Sequence, residues 1–200
     1  MKKILLFIVV IAMSALVSAQ EKFATYTMSY FQEMGEFPIK ISKLDKKGKF
    51  SVYIYVMGES EYDNVCITIK SIDLPTFRQT LTDLRDKFVE WKEVATENNV
   101  TDMKKEFPYS FNGITIAWLG SKWFFSYNNI ITPLFVAMED GKCVMIVYKN
   151  ATSSSNQYID QKVYFVLQEK EEFDNLLNVI SEENINDYLN KRSNAEDLFR

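Results

Sequence analysis

Leu74, Phe77, Leu81, Leu84, Phe88, Trp91 and Ala95 recur at alternating spacings of three and four. That period leaves the segment one way to hide its apolar side chains: on an α-helix they form a single stripe. Asp83, Arg85, Asp86, Lys87, Glu90 and Lys92 cover the remaining surface. Pro75 falls in the first turn, where a missing N–H does no harm, and Asp73 stands at the capping position. Two Phe and a Trp are bulkier than a coiled-coil seam favours, so the stripe is expected to lie on a β-sheet.

The strands for that sheet stand on both sides of the helix. Phe23 to Phe31 is aromatic and Thr-rich, and Phe37 to Leu44 alternates apolar and polar residues. After a turn at Asp45-Lys46-Lys47-Gly48 comes the β-branched run Phe50 to Met57. A polar loop follows, and then Val65, Ile67 and Ile69 alternate with Cys66, Thr68 and Lys70. Beyond the helix, Glu97 to Lys105 is polar and marks the junction of two halves. Phe107 to Phe111 and Ile114 to Leu119 flank Asn112-Gly113, a hairpin-turn dipeptide, and Gly120-Ser121 makes a second turn. Leu134 to Met138 and Cys143 to Tyr148 flank the turn Glu139-Asp140-Gly141-Lys142. Asn150 to Asn156 reads as a Ser-rich loop and Val163 to Leu167 as a strand. Phe173, Leu176, Leu177 and Ile180 mark another amphipathic helix, and a short terminal helix is expected to start at Ser181.

The order of elements repeats. Pro38 matches Pro133, Gly48 matches Gly141 and Phe77 matches Phe173, at nearly equal offsets, and Met28-Ser29-Tyr30 echoes Phe125-Ser126-Tyr127. An internal duplication is one source of such matches. Chance resemblance between short apolar words is the other. The expected fold is α+β: an antiparallel sheet with two long helices packed on one face, built from two related β-rich halves each ending in a helix. Residues 20–100 form the first half and 101–200 the second, which closes with the short C-terminal helix.

The chain starts with Met1-Lys2-Lys3, an apolar run from Ile4 to Met13, and the small-residue site Val17-Ser18-Ala19. This is the pattern of a cleaved secretory signal spanning residues 1–19. A membrane span needs about 20 apolar residues, roughly twice this run. The expected address is therefore the periplasm or the exterior, with a soluble mature chain, and the Lys/Asn/Ile-rich composition has a bacterial look. The formal net charge of −4 becomes more negative once Lys2 and Lys3 leave with the signal. Without a basic cluster, the chain matches neither a phosphate backbone nor an anionic membrane surface. Cys66 and Cys143 each sit inside an apolar run. Two buried thiols or one disulfide are both compatible with that placement.

The sequence contains no histidine. That removes His-based triads, Cys–His pairs and nearly every common zinc or iron site. Six glycines form no phosphate-binding or dinucleotide motif. Glu59, Glu61 and Asp63 alternate along one loop, but they lack the glycine of a calcium turn and read as a solvated acidic loop. No cofactor and no metal is expected.

Aromatic density singles out one region: Tyr109, Phe111, Trp118, Trp123, Phe124, Phe125 and Tyr127. Trp123, Phe125 and Tyr127 share one side of a strand and Phe124 takes the other. Trp118, Trp123, Phe125 and Tyr127 are the candidate binding surface, with Trp118 or Trp123 expected to be substantially exposed. The alternative is that both sides are core. The expected function is an exported non-enzymatic binding or interaction protein, whose partner is a protein, a glycan or a small apolar ligand. A carrier of a hydrophobic ligand between sheet and helix is the second reading, and a small carboxylate hydrolase the third. The address is the first point to check. Mass spectrometry of the native protein is expected to place the N-terminus at or within a few residues of Gln20, and an intact Met1 would overturn it.

Overall fold

The computed structural model describes residues 20–60 and 63–197, so the expected export signal, Glu61 and the last three residues lie outside the described residues. Strand β1 (Gln20–Thr27) leads through a short 3-10 helix (Ser29–Met34) to β2 (Glu36–Ser42), β3 (Ser51–Val56) and β4 (Asn64–Lys70). Helix α1 (Leu74–Glu97) follows. Then come β5 (Met103–Glu106), β6 (Phe111–Leu119), β7 (Trp123–Ile131), β8 (Leu134–Ala137), β9 (Cys143–Ser153) and β10 (Asn156–Leu167). Helices α2 (Lys170–Val179) and α3 (Glu182–Asp197) end the described chain. The class is α+β.

Among the described residues the strands form two antiparallel sheets. One has the order β1-β2-β3-β4-β6-β7 and the other β10-β9-β8-β5. The inward residues of both sheets and the stripe of α1 merge into one core. Phe77 stacks on Phe111 of β6, with ring centres 4.8 Å apart. Phe88 meets Phe135 of β8 and Phe173 of α2 at 6.0 and 5.4 Å. Trp91 lies against Phe107 at 5.0 Å. The stripe thus touches the first sheet, the second sheet and the second helix in turn.

Backbone and polar ties fix how the sheets meet. Met57 and Tyr164 exchange backbone hydrogen bonds of 3.1 and 2.9 Å, joining the end of β3 to β10. At the turn between β9 and β10, the Ser154 N–H donates to the Phe125 carbonyl at 2.8 Å. The Tyr127 N–H donates to Ser154 Oγ at 3.2 Å. The buried Glu172 carboxylate closes a third tie. It accepts from Ser29 N and Oγ at 2.5 and 2.6 Å and from the Gln168 and Glu169 N–H groups at 2.6 and 3.0 Å. One side chain thereby caps α2 and anchors the 3-10 helix, leaving little of a costly buried charge unsatisfied. At the far end of the chain, Arg192 of α3 pairs with Glu21 of β1 at 2.8 Å.

Several local expectations are corrected. Asp73 does not cap α1 with its side chain, because its backbone is already helical (φ −95, ψ −10) and a capping residue must be extended. Asn112-Gly113 is not a hairpin turn. It lies inside β6, where Gly113 at φ +70 and two register shifts make a bulged strand, and the chain reverses at Gly120-Ser121 instead. The Ser-rich stretch is mostly strand, with β9 running to Ser153 and β10 starting at Asn156. The second amphipathic helix, α2, has only 10 residues, and the terminal helix expected to be short, α3, has 16. Whether the strands form one continuous sheet, left open by the sequence, is decided in favour of two.

The two halves share a local unit: three consecutive antiparallel strands leading into a helix, β2-β3-β4-α1 and β8-β9-β10-α2. Phe77 and Phe173 are each the fourth residue of their helix, and both are buried. Around that unit the halves differ. The hairpin β6-β7 leaves its own half to pair with β4, and β5 adds to β8. Met28-Ser29-Tyr30 enters a 3-10 helix while Phe125-Ser126-Tyr127 lies within β7.

Phe88 is fully buried at the point where all these elements meet. Phe88→Ala is expected to lower the unfolding free energy by about 3–5 kcal/mol in urea titrations, the range for an aromatic truncated in a packed core. A loss under 1 kcal/mol would mean that the shared core is not continuous there.

Candidate functional site

The first sheet carries side chains on two faces, and the helices cover one. On its outer face the register places Tyr55, Cys66, Ala117 and Phe125 side by side across β3, β4, β6 and β7. The next row holds Lys40, Tyr53, Thr68 and Thr115. Cys66 and Ala117 are small and fully buried beneath their larger neighbours. Tyr53, Trp123 and Phe125 pack over them. Lys40 Nζ sits 4.5 Å above the Tyr55 ring and donates to the Tyr55 hydroxyl at 3.1 Å. Burial pushes the Cys66 thiol up to about 12, and burial also raises the Tyr55 phenol. Both groups are therefore neutral near pH 7. Cys143 faces the shared core of the second sheet, so the two cysteines are separate free thiols.

Phe125 and Tyr127 are two residues apart on β7, with parallel rings 5.8 Å between centres. Tyr127 is 56% exposed. At their end of the sheet the outer face opens into a groove of about 240 Å³. Its floor is Tyr53, Thr68, Thr115, Phe125 and Tyr127; the bulged start of β6 (Phe111 to Ile114) and the first turns of α1 (Asp73, Thr76, Phe77, Thr80) form its wall. The bulge at Gly113 lies at the start of β6 along this rim, a place bulges beside sites often take. Lys70 and Asp73 are the charged residues of the lining.

Of the four residues expected to form a binding surface, Phe125 and Tyr127 line the groove. Trp123 points to the same face but lies half-buried over Cys66 and Ala117, away from the opening. Trp118 is corrected: it is 4% exposed, in the interior. It pairs across the strands with Phe124, their rings 5.9 Å apart, so both turn to the helix-covered face. The expectation that Trp118 or Trp123 would be substantially exposed therefore fails; Tyr127 is the exposed aromatic. The residues not foreseen were the threonines. Thr76 and Thr80 stand four apart on α1 beside Phe77, a spacing visible in the sequence. The meeting of that helix edge with Thr68 and Thr115 depends on strand pairing.

The groove holds a single carboxylate, Asp73. In the acidic loop, Glu59 pairs with Lys162 at 2.6 Å, and Asp63 accepts from Ser60 N and Gln161 Nε2 at 2.8 and 2.9 Å. Among the described residues no group of three or more His, Cys, Asp or Glu is placed to hold a metal ion. No helix there is long and apolar enough to cross a membrane. Comparison with protein-family models, with curated proteins and with solved structures finds no match to this chain.

Single-tryptophan variants read this arrangement directly. Iodide is expected to leave Trp118 fluorescence unquenched and to quench Trp123 in part. Trp118→Ala is expected to cost about 3–5 kcal/mol, as for a core aromatic. Efficient quenching of Trp118 would reverse the assignment of faces.

Proposed function

We propose that this chain is an exported binding protein that holds a small ligand in the aromatic groove of its first sheet. The observation that carries the reading is the parallel Phe125–Tyr127 pair, exposed at Tyr127, over a concave opening of about 240 Å³. Ligand sites are typically concave, rich in aromatic surface and furnished with a few fixed polar groups. The Thr hydroxyls supply those polar groups here. An exposed Tyr gives contact area at small conformational cost while its hydroxyl stays available to a partner.

The two competing readings find less support. A carrier with its cavity under the helix would need an opening along the α1 stripe, but Leu81, Leu84 and Phe88 are fully buried in the packed core. Phe77 alone of the stripe reaches the groove. A carboxylate hydrolase needs two converging acids, and the groove lining offers Asp73 without a second.

The test is amide chemical-shift mapping on the purified native protein, with a mixed set of small aromatic, aliphatic and hydroxylated fragments. Shifts are expected to concentrate at Thr68, Thr115 and Tyr127. Tyr127→Ala is expected to abolish them while changing the unfolding free energy by less than about 1 kcal/mol, as for most surface substitutions. Absence of any shift in the groove, with shifts elsewhere or nowhere, would overturn the proposal.

A further inference from the structure

We infer that the ligand of this groove is a neutral carbohydrate, an inference that rests on the groove being a binding site. The lining is sorted into two chemistries that this ligand class combines. Phe125 and Tyr127 present ring surface, while Phe77 and Phe111, stacked on each other, only border the groove with the edge of the core; Thr76, Thr80 and Thr115 present hydroxyls. No hydrogen bond to another described residue engages those three hydroxyls, and each offers one donor and two acceptor positions. A pyranose has an apolar C–H face that lies on an aromatic ring and a rim of hydroxyls that exchange hydrogen bonds with groups of this kind.

Other ligand classes match the lining less well. An aliphatic chain would cover the threonines and strip their hydroxyls of water without replacing the bonds, an unfavourable exchange. An anion would look for converging cations, but Lys70 is the one cation of the lining and Asp73 stands in the same wall. A cation meets the same cancellation. What remains is a ligand without net charge that carries both apolar faces and many hydroxyls.

The test uses the purified native protein and four neutral probes: maltotetraose, cellotetraose, xylotetraose and chitotetraose in its N-acetylated form. Decanoate and benzoate serve as aliphatic and aromatic comparators. Amide shifts and equilibrium titration read both location and affinity. At least one tetrasaccharide is expected to bind with its shifts at Thr68, Thr115 and Tyr127. Affinity is expected to fall at least tenfold in Tyr127→Ala and severalfold in each of Thr80→Val and Thr115→Val, which remove a hydroxyl at nearly constant shape. Unchanged urea midpoints in the valine variants separate lost recognition from lost folding. If all four sugars leave the groove unshifted while decanoate or benzoate shifts it, the carbohydrate assignment falls and the binding groove stands. If no probe of any class shifts it, both fall. Sugar binding that is indifferent to all three substitutions places the site elsewhere and also overturns the inference.

Discussion

The stripe along α1 is shared among partners that have no other reason to be together. Phe77 rests on Phe111 in the first sheet, and Phe88 touches Phe135 in the second sheet and Phe173 in α2. Each sheet has an apolar face that water would penalise at roughly 25 cal/mol per Å² if left open. The helix fills the space between them, and both inward faces drain into one core. Removing a methylene group from that core affects both sheets, because interiors are packed at crystal-like density and relax only partly.

That shared core determines which face of the first sheet the helices leave uncovered. With the inner face of the first sheet spent on the helix and the second sheet, its outer face is left to solvent. In the middle of that face Cys66 and Ala117 are covered by Tyr53, Trp123 and Phe125. The polar ties then hold the frame in place. Glu172 gathers four donors from the 3-10 helix and the start of α2. Ser154 occupies the open edge of β7 exactly where Phe125 and Tyr127 project, satisfying their backbone groups. The aromatic pair is therefore mounted on a strand whose edge is fixed at that point by the neighbouring sheet.

Much of the fold was legible because its signals are local. The three-four spacing fixed α1 with its ends near Leu74 and Glu97, alternation located β2 and β4, and a β-branched, aromatic run located β3. The turn at Glu139 to Lys142 forms as its residues suggest, with the Met138 N–H donating to the Lys142 carbonyl at 2.8 Å. Errors came where one local signal has two structural uses. A glycine after asparagine permits φ > 0, and a bulge needs that as much as a hairpin does; at Gly113 the strand pairing chose the bulge. A serine-rich run forms strand when a neighbour supplies the ladder, as β9 and β10 do for each other.

The site divides along the same line. Alternation along Trp123 to Tyr127 determined that three aromatics share a face and that Phe124 takes the opposite one, since the strand period is two whatever the surroundings. The sequence by itself also determined the chemistry that is missing, because a chain without histidine has no imidazole to offer. Which face meets water was decided only in the tertiary structure. Trp118 is as aromatic as Trp123, yet the register Trp118↔Phe124 turns it inward while Trp123 lies over Cys66 and Ala117. Thr68, Thr115, Thr76 and Thr80 come from two strands and a helix, and they meet at one groove because β6 left its own half to pair with β4. Periodicity is a property of a segment; exposure is a property of what the segment packs against, and that lies elsewhere in the chain.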